Sequence, residues 1–198
     1  MRNLLFTSIL IFLFFHIGNA QTINIPDANF KGMLLNASPD NSIATNSSHF
    51  PIVIDTNGDG EIQVSEALQV HQLRIMEANI SDLTGIEYFT NLVILDCSYN
   101  SLTSLGLATT LPNLTALYCH YNQFTTLDVS GLTALEQLAC NNNSITSLNM
   151  NNGLIFLNCS NNPLGTLDVS TFTDLEVLQC NSNSLSNLDV TNLINLQI

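Results

Sequence analysis

From residue 79 onward the apolar positions fall into one recurring frame. The segments "LDCSYN", "LYCHYN", "LACNNN", "LNCSNN" and "LQCNSN" each carry Leu, a variable residue, Cys, and then Asn three residues after the Cys. The cysteines stand at 97, 119, 140, 159 and 180, spaced 22, 21, 19 and 21 residues apart. Self-similarity with a period of about 20 to 29 residues marks a solenoid, in which each unit buries its apolar face against its neighbours. The Leu and Cys of each unit flank one variable residue, so both point to the same side of a short strand. One such strand per unit predicts a parallel sheet lining the inner face of the stack. The other half of the unit repeats as "LDVS" at 127–130 and 167–170 and as "LDVT" at 188–191. The unit at 144–162 is two residues short, and the loss falls around "NMNNG", on the outer side. The inner sheet is therefore expected to continue across it.

The frame L-x-x-L-x-C-x-x-N-x-L runs through Leu135, Leu138, Cys140, Asn143 and Ile145, and again through Leu175, Leu178, Cys180, Asn183 and Leu185. It resembles the leucine-rich repeat signature, with Cys where Leu often stands. The chain is similar to secreted bacterial leucine-rich repeat proteins of the internalin-like class, strongly over 79–198 and more weakly over 21–78. The resemblance implies a curved solenoid with a parallel β-sheet on the concave face, short irregular convex segments and an N-terminal cap. It also implies a role in protein interaction or adhesion.

Exported cysteines usually pair, but five cannot all pair within one chain. Adjacent rungs lie ~4.8 Å apart, inside the Cα range of a disulfide, whereas in-register parallel side chains are poorly placed for its ~90° dihedral. Free cysteine behaves as a small buried hydrophobe. The expectation is a buried ladder of free thiols, with disulfides as the competing arrangement. A second ladder, of asparagines, would satisfy peptide groups where the chain turns out of each strand. Zinc fits less well, because there is no Cys-x-x-Cys pair and His120 is the only histidine in the repeats.

Residues 21–78 are expected to form a small, mostly helical cap over one end of the apolar stack, as solenoids require. A helix should start near Pro26 and Asp27 with Phe30, Met33 and Leu34 on one face, and another should run from Val64 to about Gln69. Residues 37–50 form a polar loop, 51–55 are extended, and 73–83 form a degenerate first rung. Leu193, Leu196 and Ile198 begin another rung whose asparagine is absent. The units thus number about five, plus a truncated last one, and the chain has the character of a fragment.

One segment carries metal chemistry. "DTNGDGEIQVSE", residues 55–66, matches the twelve-position EF-hand calcium loop. Asp55, Asn57 and Asp59 fill positions 1, 3 and 5, and Gly60 stands at the sharp turn. Glu61 offers its backbone carbonyl, Gln63 acts through water, Ile62 anchors the loop to the core, and Glu66 closes the site as a bidentate carboxylate. A Ca²⁺ ion with a structural role is the expected cofactor. The preceding "HFPIVI" is β-prone and contains Pro51, so the loop is similar to the dockerin type, with one helix instead of two.

Residues 1–20 have the layout of a secretory signal: Arg2, an apolar run from Leu4 to Ile17, and small Gly18 and Ala20 before a cleavage site. No later stretch is long and apolar enough to span a bilayer. The organisation expected is 1–20 signal, 21–78 cap and 79–198 repeats, with export after cleavage near Ala20. Beyond that point Lys31 and Arg74 are the only strong cations against 16 acids. Nucleic acid and anionic membranes need basic side chains, so both are excluded as partners.

Variable strand positions face the concave surface. Asp96, Tyr99, Tyr118, His120 and Tyr121 cluster on two adjacent rungs, and Phe156 follows two rungs later. Aromatic side chains are over-represented at binding hot spots, which makes these six the candidate partner-binding residues for a protein or glycan ligand. The remaining columns are largely Asn, Ser and Gln. No catalytic constellation is present: Cys119 and His120 are neighbours, but alternation puts their side chains on opposite faces. The chain is thus expected to be a secreted or cell-surface binding module and not an enzyme, with self-association through its open C-terminal end as a further possibility. The alternatives are an accessory module of a larger secreted enzyme and a structural surface-layer component that contacts copies of itself.

Overall fold

The computed structural model describes residues 21–106 and 110–197. The signal-like segment 1–20 and Ile198 lie outside the described residues. A seven-stranded sheet runs in the order β1-β2-β3-β4-β6-β8-β9. Its strands are β1 (Ala44–Thr45), β2 (Gln72–Arg74), β3 (Ile94–Asp96), β4 (Ala116–Tyr118), β6 (Gln137–Ala139), β8 (Phe156–Asn158) and β9 (Val177–Gln179). From β2 onward every pair is parallel, and the central leucines stay in register from Leu73 through Leu95, Leu117, Leu138 and Leu157 to Leu178. The sheet crosses the short unit unbroken, as its sequence implies. Its first parallel strand, β2, lies on the cap side of residue 79.

Five of the central leucines are fully buried, as are Cys97, Cys119, Cys140 and Cys159. All five cysteines are free thiols, with Cys180 only partly covered. The asparagine ladder holds the rungs together. Asn122 Nδ2 donates to Cys119 O of its own rung and to Cys97 O of the preceding one, while its Oδ1 accepts from Leu102 N–H. Asn143, Asn162 and Asn183 repeat this pattern on later rungs. Asn100 begins it against Ile75 O and the amides of Ala78 and Ile80. Each amide thus satisfies peptide groups that the turn would otherwise leave unpaired inside the stack.

Among the described residues the convex side carries a 3-10 turn at Ile86–Tyr88 and a two-stranded parallel sheet of β5 (Thr126–Asp128) and β7 (Ser147–Asn149). That sheet does not continue past β7 among the described residues. In the frame, Ser101, Gln123, Ser144 and Ser184 each donate a backbone N–H to the preceding rung, at Ile80, Leu102, Phe124 and Leu164. The corresponding residue of the intervening rung is Pro163, which has no N–H to give. A cleft of about 340 Å³ opens beside it, between Ser147–Met150 and Thr166–Asp168.

The cap is less helical than its sequence suggests. It holds α1 (Ala28–Leu35) and a four-residue α2 (Val64–Ala67). The expected polar loop is held by asparagine side chains that accept backbone N–H groups: Asn41 from Ser38 and Ile43, Asn46 from Ser48 and Phe50. Such local bonds compete with helix formation. Strand β1 pairs antiparallel with β2 and covers the edge the solenoid would otherwise expose. Phe30 and Leu34 of α1 are buried in the core.

Asp27 joins cap to solenoid. Its Oδ1 caps α1 by accepting from Asn29 and Phe30 N–H, and its Oδ2 accepts from Ser81 N–H and Oγ and from Asp82 N–H. Partial burial opposes its charge, but the hydrogen bonds from Phe30, Ser81 and Asp82 outweigh it and hold the carboxyl below the ordinary 3.8. A depressed carboxyl contributes stability that is complete above its unfolded value and is lost as pH falls through the folded one. Asp27→Ala should therefore destabilise the chain by at least about 1 kcal/mol at pH 7, the magnitude of an N-cap loss. The gap should narrow below about pH 4, as followed by urea denaturation across pH.

Burial pushes the Cys159 thiol up to about 12 and raises those of Cys97, Cys119 and Cys140 as well. Only the thiolate reacts readily. At pH 8 a thiol reagent should modify Cys180 first in the folded chain, and in denaturant without reductant it should titrate five thiols.

Candidate functional site

The residue two places after each strand-end cysteine or its equivalent has a left-handed backbone. Glu77, Tyr99, Tyr121, Asn142, Asn161 and Ser182 have φ of 56°, 55°, 52°, 55°, 54° and 56°. The chain bends here so that the next residue, the asparagine three places after each cysteine, can turn its amide into the ladder. Asn adopts this conformation with little strain, whereas a bulky side chain does so rarely. Two tyrosines nonetheless occupy it on adjacent rungs.

Those tyrosines are 44% exposed each, and their rings stack with centroids 4.4 Å apart and planes 12° from parallel. The His120 ring stands edge-on to both, at 5.3 Å from Tyr99 and 5.9 Å from Tyr121. Partial burial holds His120 below the ordinary imidazole value, against the pull of Asp96, so the ring is neutral at pH 7. Its Nδ1 is buried without a hydrogen-bond partner. Asp96 and Tyr118 lie in register on β3 and β4, one column inward. Asp96 accepts from Ser98 N–H and Oγ, and the Tyr118 hydroxyl donates to Gln137 at 2.8 Å.

Five of the six residues expected at a partner surface thus form one rim on two rungs. Phe156 does not join them. It lies half-buried on β8, in register between Gln137 and Val177. The frame alone did not disclose the left-handed column. Its trace is the Asn at 142 and 161, a residue that favours such a backbone. Nor did the frame identify Asn142 as the next member of the tyrosine column.

The loop 55–66 is knitted by its own side chains. Asp55 accepts from the N–H groups of Gly58, Asp59 and Gly60. Asn57 and Gln63 both donate amide hydrogens to Asp59. Glu66, nearly buried, accepts from Thr56 N–H and Oγ1 and from Gln63 N–H, closing a capping box at the start of α2. Glu61 points its carboxylate outward to Lys31 at 2.7 Å. Gly60 turns with φ 77°, and Ile62 is fully buried. Among the described residues no group of three or more His, Cys, Asp or Glu converges on a common point.

The family profile described as "Leucine Rich repeats (2 copies)" matches residues 90–131. The fold is similar to that of the functional domain of InlJ from Listeria monocytogenes, described as including a cysteine ladder, with TM-score 0.73 and 33% identity over 89% of this chain. The chain folds as a leucine-rich repeat solenoid. It spans only 36% of that InlJ structure. A leucine-rich repeat protein of Leptospira interrogans is similar over 61% of this chain and 33% of its own length, at 26% identity and TM-score 0.58. The internalin InlF of Listeria monocytogenes shares the repeat fold alone, at 20% identity, TM-score 0.54, and coverage of 87% of this chain and 61% of its own. No curated protein is similar to the chain. Leucine-rich repeat solenoids of this kind are typical of protein–protein interaction modules. Among the described residues no helix is long and apolar enough to cross a membrane.

Removing the Glu66 carboxylate would strand the buried Gln63 N–H, release the two Thr56 donors to water and open a nearly buried site. Glu66→Ala is expected to lower stability by about 2–3 kcal/mol in the presence of a chelator. Thermal unfolding in EDTA checks this, and an unchanged midpoint would show the loop to be loosely held.

Proposed function

We propose that this leucine-rich repeat chain is a secreted or cell-surface binding module that engages its partner, in adhesion or protein–protein binding, through the concave rim formed by Asp96, Tyr99, Tyr118, His120 and Tyr121. The observation that carries the reading is the pair of exposed tyrosines held at φ 55° and 52°. Strained backbone at an exposed aromatic cluster points to use, because cheaper residues fill the same position on neighbouring rungs. The signal-like segment 1–20 supports export. The acidity of the chain supports partners other than nucleic acid. The test is an array of purified extracellular proteins probed with the wild type and with two variants. Tyr118→Ala on the rim should reduce capture at least tenfold, while Asp168→Ala on the exposed opposite flank should leave it unchanged. Capture lost with Asp168→Ala and kept with Tyr118→Ala would place binding elsewhere.

We further propose that loop 55–66 takes up Ca²⁺ as a structural ion. Asp55, Asn57, Asp59 and Glu66 would supply side-chain oxygens and Glu61 its carbonyl. The support is the twelve-position match together with the turn at Gly60 and the anchoring of Ile62. The ion would displace the amide donors that Asn57 and Gln63 now offer to Asp59. Millimolar Ca²⁺ should raise the melting temperature of the wild type and leave Asp59→Ala unmoved. Equal curves with Ca²⁺ and with chelator for the wild type would overturn the assignment.

A further inference from the structure

The tyrosine stack has an open end. Tyr99 and Tyr121 lie face to face on consecutive rungs, so their ring normals run along the solenoid axis. The next residue in the same column is Asn142, which has no ring to continue the stack, and Tyr121 is 44% exposed. A third planar or disc-shaped group fits there, continuing the stack at the ~4.8 Å rung spacing.

The surroundings of that place are uncharged. Over the three rungs beyond Tyr121 the two columns beside the strand ends hold Asn141, Asn142, Ser160, Asn161, Asn181 and Ser182. No carboxylate and no cation stands in either column there. Asn141 and Asn142 are half-exposed, and Asn161 and Asn181 are exposed. The Asn142 and Asn161 side chains are not tied up by protein hydrogen bonds among the described residues, in contrast to the ladder asparagines. A side-chain amide both donates and accepts, which suits hydroxyl groups that do the same. Ala139, small and nearly buried, lowers the floor of the sheet one column inward.

An aromatic face beside a shelf of free amides without charge selects for a ligand that is apolar on its flat side, rich in hydroxyls at its edge, and neutral. We infer that the Tyr121–Asn142 notch binds a pyranose ring of a neutral glycan. The C–H face of the sugar packs on the outer face of Tyr121, and its equatorial hydroxyls exchange hydrogen bonds with Asn141, Asn142 and Asn161. The glycan chain leaves the notch across the sheet, in the plane of the stacked ring. Acidic glycans are disfavoured by the formal charge of −13 on the chain. This inference rests on the concave-rim reading and gives that rim its ligand class.

The chain has 4 tyrosines and no tryptophan, so tyrosine emission reports directly on such a ring. The probes are neutral oligosaccharides (gluco-, manno-, xylo- and chito-series) and acidic ones (oligogalacturonate and sulfated oligosaccharides), titrated by tyrosine fluorescence and calorimetry. The expected result is binding of at least one neutral series with little change between 50 mM and 500 mM NaCl. Tyr121→Ala and Asn142→Ala should each weaken it tenfold or more, with far-UV circular dichroism unchanged, while Asp168→Ala has no effect. Two outcomes overturn the inference. One is no response to any neutral series while an arrayed protein is still captured in a Tyr118-dependent way; this leaves the rim reading intact. The other is sugar binding that survives Tyr121→Ala, which removes both the notch and the rim as the place of binding.

Discussion

One side-chain amide per rung decides whether this chain stacks. The backbone leaves each three-residue strand at a cysteine and must turn within the next few residues, deep enough that water cannot serve the exposed peptide groups. Asn100, Asn122, Asn143, Asn162 and Asn183 each bridge the carbonyl of their own rung and that of the rung before, and accept an N–H from the earlier turn. Without that bridge every rung would bury two or more unpaired polar groups, each costing about 1–3 kcal/mol. The thiol ladder follows from it. A Cys sits where the amide brings the turn close to the sheet, and its burial keeps it protonated and unreactive.

The same constraint creates the functional surface. Bending the chain toward the amide forces a left-handed residue on the rim of every rung. Most rungs place Asn, Ser or Glu there. Tyr99 and Tyr121 depart from that economy, and the departure puts two large rings side by side in solvent. Rim geometry is therefore a by-product of the ladder, and the choice of side chain on it is free to serve binding.

Much of the fold was legible because the repeat is written in the sequence. The spacing of Cys97, Cys119, Cys140, Cys159 and Cys180 gives the rungs, and the Asn three residues later gives the ladder. Other features depend on geometry that no periodicity encodes. In the cap the two helices and the polar loop could be read from the sequence, but the Asn41 and Asn46 side-chain bonds that shape the loop could not. The gap in the rung-to-rung hydrogen bonds at Pro163 registers only once Ser144 and Ser184 are seen to donate at the equivalent place. On the binding surface, the identity of the rim residues could be listed by column, but the ring stack and the open face over Asn142 require the backbone angles. Phe156 stands apart because it lies on β8, in register with Gln137 and Val177 and not with any of the rim residues.

The central claim is that the two rim tyrosines are kept for a ligand and not for the fold. The double variant Tyr99→Asn/Tyr121→Asn measures this most directly. Relief of left-handed strain, of order 1 kcal/mol per residue, should offset the lost ring stacking of about 0.5–1.5 kcal/mol. The account predicts an unfolding free energy within about 1 kcal/mol of the wild type, or above it. A loss well beyond the stacking energy would show that the tyrosines hold the solenoid together, and would contradict the assignment of the rim to binding.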